Sequence, residues 1–384
     1  MKIAVVTPQP TPYRDPFWNA VASQPGVELD VFYCYARTAE RPWECGWEVR
    51  FRAYFLPSVP LLPGGNGYYN RGILRALKEG GYDAFILGGY NHFSTLAAAY
   101  LARRRAKPYF LMNEVYLAQP RALWRRIVKW PLVRWVVRGA AGCLPTGSLA
   151  SGYLLHYGAK PDRLCCVPNV PDIDRLMAYS AGLSPEYLHE ERAKRAIKGK
   201  AILFVGRLIQ LKRVDVLLKA AAQVALREPI TLLIAGTGPL EGRLQTQARQ
   251  LGLGEQVRFL GFVQPDELPY WYCLSDVFVL PSEDETWGVV VLEALACGTP
   301  VVTTNMVGAA PDVISSPGLG SIVPAGDADA MAAEIERLLR AGCPRRQIQA
   351  LWRPTAEKMS YARLARDLVA FLRRAIDKAS SPAE

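Results

Sequence analysis

Short apolar runs that each end in a turn signal, separated by longer stretches of helical spacing, constrain this chain most, because they come in two series. The first series runs KIAVVTP, VELDVFYCY, YDAFILGGY, KPYFLMNEVY and GCLPTG, with segments such as STLAAAYLARRR between them. The second restarts after the charged stretch HEERAKRAIKGK and runs AILFVGRL, ITLLIAGTGP, QVRFLGF, SDVFVLPS and TPVVTT. Strands that alternate with helices imply parallel α/β units. At 384 residues the chain is long for one core and comfortable for two domains. The expected division is a first domain over 1–175, a linker near 175–198 and a second domain over 176–358. The last helix-like piece, YARLARDLVAFLRRAI, can belong to either half; it is assigned to the first, as a helix over about 360–380 packing back on it. No internal repeat or low-complexity segment is visible.

Composition narrows the class. Half of the residues are hydrophobic and 21% are charged, the balance of a globular protein. The eight cysteines (Cys34, Cys45, Cys143, Cys165, Cys166, Cys273, Cys297, Cys343) form no C-x-x-C pair. A chain of this length needs no disulfide staples, so reduced thiols in a cytoplasm are expected. The N-terminal MKIAVVTPQP is too short an apolar run for a secretory signal, and no segment offers about 20 uninterrupted apolar residues. The formal net charge of +11 is unevenly spread. From Met1 to Arg175 there are 22 Lys and Arg against 12 Asp and Glu, whereas the remainder carries 24 against 23. A basic first half suggests an anionic partner: a membrane surface, a nucleic acid or a phosphorylated substrate.

Ligands of parallel α/β sheets bind beyond the carboxyl ends of the strands, and two such edges facing each other would make a cleft. Three loops of the second series then stand out. In VGRLIQLKR, Gly206 ends a strand and Arg207 and Lys212 follow. A guanidinium fork and an ammonium suit a diphosphate; solvated surface charges are the plain alternative. In AGTGPLEGRL, Gly236 and Gly238 allow a tight turn or close backbone approach, without the full G-x-G-x-x-G of a dinucleotide site. In SEDETWGVVVLEALACGTPVVTT, Glu285 lies just before a helix expected over WGVVVLEALACG, with Gly298 as its stop. Free amides at that helix start can hold a phosphate. Glu293 sits inside the apolar run, where an unpaired charge costs several kcal/mol. It either accepts hydrogen bonds from a sugar's vicinal hydroxyls or pairs with a buried arginine or backbone donors.

The stretch ETWGVVVLEALACGTPVV resembles the E-x7-E signature of the retaining glycosyltransferases of family 4, which have the two-domain GT-B fold. VPNVPDIDRL, VGRLIQLKRVDVLLKA, LLIAGTGPLEGRL, VRFLGFV and LPYWYCLSDVFVLPS resemble that family's remaining landmarks in the family's order, over roughly residues 140–330. The resemblance implies an α/β GT-B fold, with two Rossmann-like parallel-sheet domains facing across a cleft. It also implies roles. Glu293 matches the glutamate that holds the ribose hydroxyls of a nucleotide sugar, and Glu285 the one that contacts the donor sugar near its reacting end. Arg207 and Lys212 match the pair that neutralises the diphosphate leaving group. Gly288 and Val289 would offer amides to that diphosphate, and Phe262 and Val263 lie where the base is gripped. No protein nucleophile is assigned.

The first half departs from the family. Where many members carry a Gly-rich loop after the first strand, this chain has TPQPTPYRDPF. Its Arg14 either reaches the phosphates or an acidic acceptor, or is a surface arginine. Where many members place a histidine, this chain has Met112, Asn113 and Glu114. Glu114 is a candidate contact at the reacting centre, with a loop carboxylate or helix cap as the alternative. His92 in GGYNHF follows a strand and would face the cleft, or is structural. Two D-x-D strings, Asp172–Asp174 and Asp327–Asp329, sit in a family landmark of another kind and in a helix-cap context, so no essential metal or other cofactor is expected. The segment QPRALWRRIVKWPLVRWVVRG, over 119–139, carries Arg121, Arg125, Arg126, Lys129, Arg134 and Arg138 without an acid. Arg121, Arg125 and Lys129 fall on one helical face, and Trp124, Ile127, Val128 and Trp135 lean to another. That suits an interfacial helix on anionic lipid; a helix packed on the sheet is the alternative. No nucleic-acid-binding module is recognisable, and nucleic acid is not an expected partner.

The expected protein is a cytoplasmic glycosyltransferase, peripheral on the inner face of a membrane if the 119–139 segment docks there. It would move a sugar from a nucleotide-diphosphate donor to a glycan, a lipid-linked sugar or a small-molecule acceptor. Its rivals are a nucleotide-sugar epimerase of the same fold and a non-catalytic nucleotide-sugar-binding protein.

Overall fold

The computed structural model describes residues 1–35, 48–60, 68–119 and 123–380. The chain divides into two compact units, Met1–Val170 with Met359–Glu384, and Pro171–Lys358.

Eight strands belong to the first unit among the described residues: β1 (Lys2–Thr7), β2 (Glu28–Tyr33), β3 (Arg52–Phe55), β4 (Ser58–Pro60), β5 (Tyr68–Asn70), β6 (Ala84–Leu87), β7 (Tyr109–Asn113) and β8 (Gly142–Pro145). Six of them form one sheet in the order β3-β2-β1-β6-β7-β8, and every pairing in it is parallel. The short β4 and β5 pair antiparallel beside it, with Ser58 opposite Asn70. The central strands are apolar throughout because helices cover both faces of such a sheet. Ile3, Ala4, Val5, Ile86 and Leu87 are fully buried. The helix Tyr361–Ser380 lies along the helix Asp15–Ala22. The Phe371 ring packs edge-on to Phe110 at 5.9 Å, and the Tyr361 hydroxyl donates to the Val170 carbonyl at 2.9 Å.

The second unit repeats the plan with β9 (Lys200–Val205), β10 (Ile230–Ala235), β11 (Val257–Gly261), β12 (Val277–Leu280), β13 (Val301–Thr304) and β14 (Gly320–Val323). Their order is β11-β10-β9-β12-β13-β14, again parallel. Numbered within its own sheet, each unit reads 3-2-1-4-5-6, the doubly wound order of nucleotide-binding folds. The stretch expected as a linker is instead helical and belongs to this unit. A helix over Ile173–Ala181 precedes one over Pro185–Lys194, which Ser184 caps by accepting from the Tyr187 amide at 3.1 Å. Long-range bonds hold the second helix: Arg192 reaches Asp276 at 3.0 Å, and the Tyr270 hydroxyl donates to Glu191 at 2.6 Å.

Candidate functional site

In the second unit the strand order reverses between β9 and β12, the point at which sheets of this kind take their ligands. Gly206 follows β9 with φ +158°, and Gly236 follows β10 with φ +142°. A Cβ on Gly236 would stand 1.9 Å from the Gly206 carbonyl oxygen, so the two loops touch through bare backbone. The Gly206 amide donates to Ala235 at 2.9 Å, and the Gly236 amide donates to Gly261 at 2.7 Å. Phe262, exposed, and Val263, half-buried, follow directly on Gly261.

Arg207 is exposed. The adjacent cations Lys212 and Arg213 part company. Lys212 forms an ion pair with the Glu285 carboxylate. Arg213 is held by Asp215 at 3.1 Å and Glu283 at 2.7 Å, and these carboxylates raise its pKa further above the usual arginine value. Glu285 is fixed from the other side as well. Its amide donates to Met306 at 3.1 Å, and its carbonyl accepts from Gly308 at 3.0 Å. This loop after β13 escaped the sequence reading. Its signal was a glycine just past a strand end, since a Cβ on Gly308 would stand 2.1 Å from the Thr286 oxygen.

Gly288, at φ +97°, opens the helix Val289–Ala296. A Cβ there would meet a Val307 methyl at 2.9 Å and Glu285 Cγ at 3.3 Å. Glu293 lies one turn into that helix. Its partner is a neutral phenol, not an arginine: the Tyr272 hydroxyl donates to Oε2 at 2.9 Å. Burial pushes the Glu293 carboxyl up to about 7, with the Tyr272 hydrogen bond pulling the other way. Burial, followed by the Glu293 charge, drives the Tyr272 phenol well above its ordinary value. Tyr272, fully buried on the helix Leu268–Leu274, was not singled out in the sequence. It read there as one aromatic among several in LPYWYC. Ser282, just past β12, has a buried hydroxyl without a hydrogen-bond partner among the described residues.

The first unit has its own reversal, between β1 and β6. Arg14 occupies the N-cap position of the helix that follows the β1 loop and is only 8% exposed, so it is not a surface arginine. Its Nη2 lies 3.7 Å from Glu114, just past β7, while its Nη1 has no hydrogen-bond partner among the described residues. Burial lowers the Arg14 pKa, and Glu114 opposes that effect. Asn169 donates to the same Glu114 oxygen at 2.7 Å, leaving the Glu114 side chain 43% exposed. Glu114 is thus an ion-paired carboxylate rather than a helix cap. His92 opens the helix Phe93–Arg104, its carbonyl accepts from the Thr95 hydroxyl at 2.8 Å, and its ring lies 6.1 Å from that of Tyr35.

The remaining candidates resolve more simply. Asp172 accepts from the Arg175 amide at 3.0 Å and Asp327 from the Ala330 amide at 2.9 Å, so both D-x-D strings begin helices. Among the described residues no group of three or more His, Cys, Asp or Glu is placed to hold a metal. The helix Leu123–Gly139 contains Trp124, Ile127, Val128 and Trp135, but it does not group them as expected. Trp135 is half-buried under Arg103, whose guanidinium stands 5.0 Å over its ring, and Leu132 joins the exposed set instead. Arg121 lies outside the described residues, as do the side chains of Arg125 and Arg126 and the whole of Cys45.

Known proteins resemble this chain in sequence and in fold. Residues 189–354 match the family described as glycosyl transferases group 1. A D-inositol 3-phosphate glycosyltransferase 2 of Catenulispora acidiphila is 35% identical over 213 residues, 51% of this chain and 47% of that protein. A D-inositol 3-phosphate glycosyltransferase of Geodermatophilus obscurus is 34% identical over 240 residues, 58% of this chain and 52% of that protein. The chain thus spans about half the length of these curated relatives. Among solved structures, Anabaena Alr3699/HepE in complex with UDP superposes with a TM-score of 0.73 at 16% identity, over 97% of this chain and 100% of that one. The lipopolysaccharide outer core galactosyltransferase WaaB gives 0.72 at 17% identity, over 97% of this chain and 99% of that one. Residues 189–354, which match the glycosyl transferases group 1 family, contain the site of the second unit, and the chain has the GT-B fold.

Proposed function

We propose that this protein is a retaining glycosyltransferase that takes a sugar from a nucleotide-diphosphate donor. Its acceptor is a glycan, a lipid-linked sugar or a small molecule. The observation that carries this reading is the meeting of Lys212 and Glu285 at the strand-order reversal of the second sheet, with Glu293 one helical turn behind. In this reading Arg207, Lys212 and the backbone at Gly288 and Val289 take the diphosphate. Charge grows on the leaving diphosphate in the transition state, so cations already in place lower the barrier. Glu285 meets the donor sugar, Glu293 accepts from the ribose hydroxyls, Gly206 and Gly236 form the bare floor, and Phe262 and Val263 meet the base. In the first unit, Arg14, His92 and Glu114 supply polar contacts to the substrates. No disulfide joins two of the described cysteines, which fits a reducing compartment such as the cytoplasm. No step of this reading calls for a metal.

The neighbour that binds UDP and UDP-glucose makes a uridine donor the first to try, and the relatives' names put D-inositol 3-phosphate among the acceptors to test. The experiment is a thermal-shift screen against UDP, GDP, ADP and dTDP and their common sugars, repeated on Glu293→Ala. A ligand present at 100 times its Kd stabilises the folded state by about 2.7 kcal/mol. One nucleotide should stabilise the wild type and not the variant. No response, or an equal response from the variant, sinks the assignment. Donor binding without sugar transfer to any acceptor would leave a binding protein instead.

A further inference from the structure

The segment 119–139 is not absorbed by this reading, and its helix has an unusual arrangement. Val133, Val136 and Val137 bury one side of Leu123–Gly139 in the core of the first unit. A second apolar stripe on the same helix points to solvent. Trp124 is 62% exposed, Ile127 65%, Val128 67% and Leu132 40%. Their spacing of i, i+3, i+4 and i+8 places them in one row. At 1.5 Å per residue the row runs about 12 Å along the helix.

The surroundings of the stripe are basic. Between Asp83 and Asp162 the sequence holds eleven Lys and Arg against a single acid, Glu114, and Glu114 is tied to Asn169 and Arg14. The neighbouring helix, Phe93–Arg104, ends in Arg103 and Arg104, followed by Arg105 and Lys107, all exposed, like Lys129 and Arg138 on the stripe's own helix. Aromatic rings lie under some of these cations. Arg104 stands 6.0 Å over Tyr100, itself an exposed ring, and Arg134 stands 5.8 Å over Trp130. Among the described residues no helix is long and apolar enough to cross a membrane.

We propose that this face of the first unit docks on an anionic lipid surface, with Trp124, Ile127, Val128 and Leu132 entering the interface. The lysines and arginines around them would meet the headgroups. Both halves of the chemistry are needed. An apolar stripe gives depth but no preference for charge, and basic residues alone give adsorption that salt removes. A second copy of this chain is the poorer occupant, because it would bring a like-charged surface against this one.

The test uses the full chain and co-sedimentation with vesicles of phosphatidylcholine alone or with one third phosphatidylglycerol. The wild type should pellet with the anionic vesicles and not with the neutral ones. A Trp124→Ser, Ile127→Ser, Val128→Ser triple variant should bind at least about tenfold more weakly. It should unfold at the same temperature, since all three side chains are exposed. Its nucleotide response should also be unchanged, which separates failure here from failure of the donor assignment. The proposal is overturned if the wild type stays in solution with anionic vesicles, or if the triple variant binds as well as the wild type. It is also overturned if light scattering shows a dimer that the triple substitution dissociates.

Discussion

Replacing Glu293 by Gln should make the second unit more stable in mild alkali and leave it unchanged in mild acid. Burial raises this carboxyl from 4.5 to about 7. Between those values the folded protein holds a proton that the unfolded chain has released. Stability linked to this group is therefore complete below about 4.5 and is lost progressively as pH rises to about 7. Each pKa unit corresponds to about 1.36 kcal/mol, so the ionised carboxylate costs about 3 kcal/mol by pH 8. Glutamine never ionises and can still accept the Tyr272 hydrogen bond through its amide oxygen. Melting curves of wild type and Glu293→Gln at pH 5 and pH 8 isolate the effect, because every other titrating group is common to both. In a unit of this size 1 kcal/mol moves Tm by about 2–4 °C. The variant should lead by roughly 6–12 °C at pH 8 and by little at pH 5. A gap of the same size at both values would show that ionisation of Glu293 is not what matters, and the reasoning from burial would fail.

Three further outcomes follow from the same geometry. If ribose hydroxyls donate to Glu293, the nucleotide binds the ionised form, so its affinity for the wild type should rise about tenfold from pH 6 to pH 8 and stay flat in Glu293→Gln. Titration calorimetry at the two values decides this. Glu285→Gln should release Lys212 from its ion pair and leave UDP binding equal or tighter while cutting sugar transfer, whereas Lys212→Ala should weaken UDP at least about tenfold. Equal losses of UDP affinity in both variants would contradict the division of roles. Glu114→Gln should cost about 1 kcal/mol, because the 43% exposed carboxylate stands 3.7 Å from the buried Arg14, and Arg14→Met in the same chain should recover part of that loss, read as a double-mutant cycle by denaturant unfolding.

The sequence was legible where a strand is buried on both faces. VFVL and AILFV read as strands because both sides of a central parallel strand are apolar, and β12 is buried along its whole length. The edge strands β3 and β14 were missed for the same reason in reverse. RAYF and GSIV keep exposed positions and offer no apolar run. The supposed linker failed differently. PEYLHEERAK is polar nearly all round, with Leu188 its buried residue, and its helix depends on Asp276 and Tyr270, more than 70 residues away. Close backbone approach was legible too, because the glycines at 236 and 288 stand where a Cβ would meet 1.9 Å and 2.9 Å contacts. Which charge meets which was not legible. Lys212 and Arg213 are neighbours of similar character, and only the fold sends one to Glu285 and the other to Glu283.

That pairing bears on how a ligand would enter. In the second unit Lys212 and Arg213 face carboxylates, and burial pushes the Glu293 carboxyl up to about 7. Three carboxylates thus crowd Arg213 and Lys212. A diphosphate carries more negative charge than Glu285 and offers oxygens to two cations at once, so on the proposed reading it would displace Glu285 from Lys212. Lys212 and Glu285 are only 14% and 20% exposed, so the exchange is favourable only where phosphate oxygens take the carboxylate's place at Lys212. It leaves Glu285 beside the incoming ligand, in need of hydrogen-bond donors that a sugar's hydroxyls supply and a bare nucleotide lacks. A single ion pair would then couple recognition of the phosphates to recognition of the sugar.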